Sequence, residues 1–247
     1  MNTSNPTLNS SVFTNAGPVV AGDKMTLNGT VAKTGLLTTI LLVAAAWAWN
    51  ACSGGALPAW FGAAAIGGGI GAFVIGLIIS FSPRTAPMLA PVYALGEGVI
   101  LGLISAMFER RFHGIVLTAV LLTCGVLAAM LAAYMTGVIR ATEKFKAGVF
   151  AATGGICLFY LITMVLGLFG VHVPGLFGNG LLGVGISLFI VIIAALNLVI
   201  DFDFIERGAA GGAPKYMEWY GAFSMMVTLV WLYLEILRLL SKLRDRD

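Results

Sequence analysis

Two long stretches without charge govern what this chain can become. No Asp, Glu, Lys or Arg occurs in residues 34–83, between Lys33 and Arg84, or in residues 147–200, between Lys146 and Asp201. At about 20 residues per membrane-crossing helix, each stretch holds two crossings. The rest of the chain agrees: of 247 residues, 59% are hydrophobic and 10% charged, and the mean hydropathy is +0.98. Soluble domains are about 45–50% apolar and about 25% charged. A water-soluble fold of this size has too little interior for so much apolar surface, so a soluble enzyme is excluded and a polytopic membrane protein is expected.

The pattern predicts spans near residues 35–52, 59–82, 86–107, 114–135, 149–170, 177–200 and 219–241. Runs of this length read as helices, because a helix satisfies its own backbone groups in lipid. Barrel strands would be about ten residues long and alternating, a pattern this sequence lacks. The expected fold is therefore all-α, with a polar N-terminal tail at 1–34 and a transmembrane bundle at 35–243. Glycines crowd the spans, including Gly67, Gly68, Gly69, Gly71 and Gly76 in the second and Gly180, Gly183 and Gly185 in the sixth. Close helix packing explains them, with a hinge or unwound segment as the sharper reading.

Lys and Arg near span ends set orientation. With the N-terminus in the cytoplasm, the inner side carries Lys24, Lys33, Arg84, Arg140, Lys144, Lys146, Arg207 and Lys215. The outer side carries Arg110, Arg111, Arg238, Lys242, Arg244 and Arg246. A last helix that dipped in and returned would move the final four to the inner side; seven full spans are the reading kept. Residues 1–33 lack the basic start and apolar run of a signal peptide. Cys52, Cys124 and Cys157 are scattered and odd in number, which gives neither a disulfide framework nor a metal site. His113 and His172 fall in loops and are too few for a metal cluster. A net charge of +3 gives no support to a nucleic-acid partner.

Charged groups inside a bilayer cost at least about 2.5–3.5 kcal/mol each and mark function by default. Arg84, Glu97, Asp201 and Glu235 stand out. Arg84 ends the second span and Asp201 the sixth, both at the cytoplasmic boundary under this topology, where a salt bridge between them is allowed. Glu97 lies ten residues past Pro87 in YALGEGVILG, about 15 Å along a helix. Gly96 and Gly98 flank it and leave room for water or an ion. Glu235 lies in WLYLEILRLL, with Arg238 three residues on and on the same face. Two readings stay open there: a structural Glu235–Arg238 ion pair, or an acid coupled to another acid that responds to protons or a divalent cation.

The sixth span ending in Asp201 with Ile205 four residues later, and the last span reading LYLEILRLL, resemble the Bax inhibitor motif family of seven-span membrane proteins, in a bacterial branch with a polar N-terminal extension. The resemblance covers roughly residues 35–243 and is strongest after 195. It implies six helices around a central seventh, and a pH-sensitive calcium leak. In such proteins an acidic pair from spans six and seven is locked by an arginine ending span two. Carried over by position, Asp201 and Glu235 match the acids and Arg84 the arginine. The departures are a Glu in place of Asp at 235, a wider spacing of the two acids, and Phe73 near the place of a span-two acid that some relatives carry.

The leading expectation is a pH-gated cation leak in a bacterial inner membrane, with Ca²⁺ and protons as its ions. Arg84, Asp201 and Glu235 form the gate, Glu97, Asp203 and Arg238 line the ion path, and Asp201 and Glu235 are the Ca²⁺ ligands. Ca²⁺ takes several hard oxygen ligands, which carboxylates and freed carbonyls would supply. The alternative is a non-transporting monomeric regulator whose tail binds a membrane quality-control protease or another membrane partner. No enzyme and no cofactor are expected: GxSG and HExxH motifs are absent, and the last span's only lysine, Lys242, sits at its very end rather than mid-span as a retinal site requires.

Overall fold

The computed structural model describes residues 24–52, 61–170, 178 and 180–246. They form seven helices: α1 Leu27–Cys52, α2 Phe61–Phe81, α3 Ala86–Arg111, α4 Ile115–Met135, α5 Glu143–Leu168, α6 Leu181–Ala210 and α7 Met217–Arg244. A 3₁₀ turn, Pro83–Thr85, joins α2 to α3. Six of the helices are long and apolar enough to cross a membrane, and α2 adds the apolar run Gly67–Phe81. The only β feature among the described residues is one antiparallel bridge, Lys24–Pro214. The chain is an all-α polytopic membrane protein. The connectors 53–60 and 171–177, His172 and residues 1–23 of the expected tail lie outside the described residues.

Local chemistry fits helices in lipid. Thr30, Thr39, Ser80, Thr118 and Thr123 each return their hydroxyl to the carbonyl four residues back, at 2.8–2.9 Å, so none carries an unsatisfied donor into hydrocarbon. The peripheral helices bury only a narrow seam, Ile115, Ala119 and Thr123 in α4 and Val149 and Ile156 in α5. Many of their other apolar side chains, Leu117, Leu121, Leu158 and Leu161 among them, are exposed, as a lipid-facing helix requires. The last helix is different: 56% of its apolar window is buried, against 11% for α5.

Several boundaries differ from the sequence reading, those of the first and sixth helices most. The first helix starts at Leu27, two turns before the apolar run, because Thr26 caps it through a hydrogen bond from the Gly29 amide at 3.0 Å. The turn between α2 and α3 lies at Ser82–Thr85, as the spans 59–82 and 86–107 place it, and Pro83 starts its 3₁₀ segment. The sixth helix does not end at Asp201 but runs nine residues further, to Ala210. Phe202, Phe204 and Ile205 keep that extension apolar, and Asp203 and Arg207 pair at 2.8 Å one turn apart. The helix stops where Gly212, at φ 66°, takes the left-handed conformation that glycine adopts without penalty.

The chain divides into two compact units. The first holds the residues up to Arg110 together with Asp203–Val227. In it α1 and α3 meet backbone to backbone: a Cβ at Gly98 or Gly102 would strike the carbonyls of Leu41 and Ala45. Ala48, Cys52, Leu103 and Ala106 form the core beside that contact, with Trp49 and Val99 packed on it. Close approach therefore belongs to the glycines of α3. Gly67, Gly69 and Gly71 of α2 have open space where a Cβ would stand. The second unit comprises Arg111–Phe202 and the chain from Thr228 onward. Its core is Ile156, Ile190 and Ile193, with Tyr160 and Trp231 against them.

Candidate functional site

In the second unit, α7 carries a column of charge on one helical face: Glu235, Arg238 and Lys242. Glu235 is 2% exposed. Its Oε1 accepts from the Tyr160 hydroxyl of α5 at 2.9 Å and from Arg238 Nη1 at 3.0 Å, and Oε2 accepts from the same nitrogen at 3.2 Å. Arg238 also donates to the Tyr160 oxygen and lies over that ring, 5.2 Å from its centre. The sequence reading left an ion pair and an acid pair open for Glu235, and the geometry supplies the ion pair. Tyr160 joins it as a third member, closing a triad of acid, base and hydroxyl.

One turn on, Lys242 is buried, and its ammonium donates to the Gly183 carbonyl at 3.0 Å and to Ser187 Oγ at 2.9 Å, both on α6. Sequence reasoning counted this lysine among the basic residues near a span end and set it aside as a retinal site, without foreseeing its burial. Its burial comes from the first turns of α6, whose Gly183 lets the side chain reach a backbone oxygen.

Asp201 and Asp203 are both buried. Asp201 belongs to the second unit, where the Lys242 contacts fix the antiparallel register of α6 against α7. That register sets Glu235 level with about residues 192–194, so about 10–13 Å of helix rise separates it from Asp201. The two acids thus sit at different depths. Asp203 falls in the first unit, bound to Arg207. Among the described residues, no three His, Cys, Asp or Glu side chains group to hold a metal ion, so the Ca²⁺ ligation expected of Asp201 and Glu235 has no third carboxylate beside it.

Glu97 is half-buried in the middle of α3, one turn after the buried Tyr93. Arg84 is exposed in the turn between α2 and α3.

A second ionic site in the first unit was not foreseen. Glu218, 1% exposed in the first turn of α7, accepts from the Thr26 amide and hydroxyl, each at 2.9 Å, and from Lys33. The carboxylate lies against Gly29, where a Cβ would collide with it. It therefore sits on the positive end of the α1 dipole, where anions are favoured. Nearby, the Met25 amide donates to the Ala213 carbonyl at 2.7 Å. A lysine at the edge of an uncharged stretch and an acid opening the last one were the only sequence signals, and 185 positions separate them.

At the other end of α7, Arg244 donates to the His113 carbonyl at 2.6 Å and Arg111 to Asp245 at 3.0 Å. The last helix begins beside the start of α1 and ends at the α3–α4 loop. It is one continuous helix, long and apolar enough to cross a membrane.

A family model described as Bax inhibitor 1 like matches residues 5–245, nearly the whole chain. The protein belongs to the Bax inhibitor 1-like family. Neither the curated proteins nor the solved structures contain a match. In this Bax inhibitor 1-like membrane protein, buried charge lies along α6 and α7: Asp201, Asp203, Glu218, Glu235 and Lys242.

Proposed function

We propose that this Bax inhibitor 1-like protein is a pH-sensitive cation leak with Ca²⁺ as a permeant ion, and that it performs no catalysis. The observation that supports this reading is Glu235, a 2%-exposed acid inside a membrane helix, held by Tyr160 and Arg238. An acid costly to place in a bilayer and satisfied only through an ion pair and a hydroxyl is a two-state element. Loss of the Glu235 charge would weaken its hold on Arg238, while the Tyr160 hydroxyl keeps an oxygen to donate to. Asp201, buried further along α6, provides a second acidic level in the same unit. Separate levels suit conduction, because an ion that binds weakly at successive sites can also leave them.

In this reading the N-terminus faces the cytoplasm and the protein works as a monomer within the bilayer. The test is the full-length protein reconstituted into liposomes loaded with a Ca²⁺ dye. Protein-dependent Ca²⁺ entry that varies with pH is the expected result. Entry no faster than in protein-free liposomes at every pH would overturn the reading and favour a non-transporting regulator, whose N-terminal tail would then be tested for a membrane protease partner.

A further inference from the structure

Helix α5 buries the smallest share of the six membrane-length helices, 11% of its apolar window, yet it carries the tyrosine that holds Glu235. The aim of that tyrosine depends on a narrow seam. Thr153, Ile156 and Tyr160 fall at helical positions i, i+3 and i+7, which places them on one stripe. Ile156 stands between the other two and packs with Ile190 and Ile193 of α6.

A second polar contact lies at the Thr153 end of this stripe, in the same unit. The Asn197 side-chain nitrogen of α6 donates to Thr153 Oγ1 at 2.9 Å and to the Ile193 carbonyl at 2.8 Å. Both amide hydrogens are thereby used, so the donor is fixed to its own helix while it grips the next one. Side-chain hydrogen bonds between membrane helices contribute about 0.6–2 kcal/mol. With little apolar burial to hold its rotation, α5 depends on such a bond more than a central helix would. Asn197 also stands between the two acid levels of the unit, one turn from Asp201 and about one turn from the level of Glu235.

We infer that the Asn197–Thr153 hydrogen bond fixes α5 in rotation and thereby aims the Tyr160 hydroxyl at Glu235. Asn197 and Thr153 are positioning residues of the proton-responsive element, although neither titrates. The seven residues from Thr153 to Tyr160 rise about 10.5 Å, and a helix pinned at both ends of that length neither turns nor slides. With the Thr153 end released, the Tyr160 hydroxyl is no longer held on the carboxylate. A hydroxyl that donates to a carboxylate favours its charged form, so Glu235 then takes up a proton more readily. Among the described residues, the other charged groups facing Glu235 are Arg238 and Lys242 of its own helix. Residues 183–196 of α6 carry no ionisable side chain. On α4 the candidates are Cys124, which is exposed, and Tyr134, which lies against Phe202 at 5.8 Å between centres. The part this contact plays in conduction rests on the leak reading; the positioning itself does not.

Infrared spectroscopy separates the two. The full-length protein in liposomes is titrated with acid while the carbonyl band of protonated carboxyl groups is followed, and the part missing in Glu235→Gln belongs to Glu235. Thr153→Val and Asn197→Leu keep the side-chain shape and remove the bond, whereas Thr153→Ser keeps the hydroxyl. In Thr153→Val and Asn197→Leu the Glu235 band should appear at a pH about half a unit higher, a roughly threefold change in proton affinity. Thr153→Ser should match the wild type, and the Thr153→Val/Asn197→Leu double variant should shift no further than either single. An unmoved band in both single variants, or an equal shift in Thr153→Ser, overturns the inference. A wild type with no Glu235 band at any pH overturns it as well. Ca²⁺ flux is read on the same liposomes. A displaced band with no flux in any of the proteins leaves the positioning standing and overturns the leak reading instead.

Discussion

Replacing Glu235 with alanine removes the one acceptor that Tyr160 and Arg238 share. Removing one partner of a buried pair can cost about 3–5 kcal/mol, but the Arg238 side chain is 38% exposed and can turn to water or headgroups. The expected loss is therefore about 1–3 kcal/mol, read as a lower unfolding temperature in detergent. Glu235→Gln, which still accepts from Tyr160, should lose less. Equal melting of the two variants would show that the charge contributes nothing. Glu235 and its partner Arg238 were legible from the sequence, since an acid with a base three residues later inside an apolar run has the spacing of a helical ion pair. Tyr160 was not. A tyrosine among LFYLITMV reads as apolar filler until the fold brings α5 against α7.

Among the helices, the contact of α1 with α3 depends on two missing side chains. Gly98→Val should destabilise by about 1–3 kcal/mol through overpacking, because the new atoms meet the Leu41 backbone, which cannot swing aside. Gly96→Ala, with open space at its Cβ, should change stability by less than about 0.5 kcal/mol. The same thermal unfolding assay compares them, and equal losses would contradict the packing assignment. Sequence pattern found glycine-rich spans but credited α2, since a count of glycines carries no information about which face meets a neighbour. It also ended the sixth helix at Asp201, because two acids within three residues look like a boundary. The Asp203–Arg207 pair and the two phenylalanines carry the helix on to Ala210. That extension puts Asp201 inside an element instead of at its rim.

The tie between α1 and α7 belongs to the same scale. Glu218→Ala leaves Lys33 and the Thr26 donors without their acceptor and should cost about 2–4 kcal/mol. Lys33→Ala should cost less, since Thr26 and the α1 dipole still hold the carboxylate. The Lys33→Ala/Glu218→Ala double variant should lose less than the sum of the singles. Full additivity would mean that the two charges do not interact.

For the whole molecule, the length of the last helix bears on a question that charge counting left open. Eight basic residues on one side against six on the other separate the orientations weakly. Now α7 starts beside Thr26 and ends beside His113, and its 28 residues rise about 42 Å, more than the roughly 30 Å of a hydrocarbon core. Single cysteines at Lys24 and at Arg246, in a protein otherwise free of cysteine, should therefore label from opposite sides of a sealed vesicle with an impermeant maleimide. Labelling of both from one side would contradict a single crossing. The class of the protein was legible because lipid imposes length and hydropathy on every span. The pairing of charges was not, because Glu218 and Glu235 lie on one helix yet find partners from α1 and α5, far away along the chain.

A Ca²⁺ flux titration against pH, run on the wild type beside Asp201→Asn and Glu235→Gln, tests the central claim. Both substitutions hold the site in its uncharged form, so the account predicts a pH-dependent wild-type flux and a flattened profile in each variant, most strongly in Glu235→Gln. Wild-type pH dependence retained in full by both variants would contradict it.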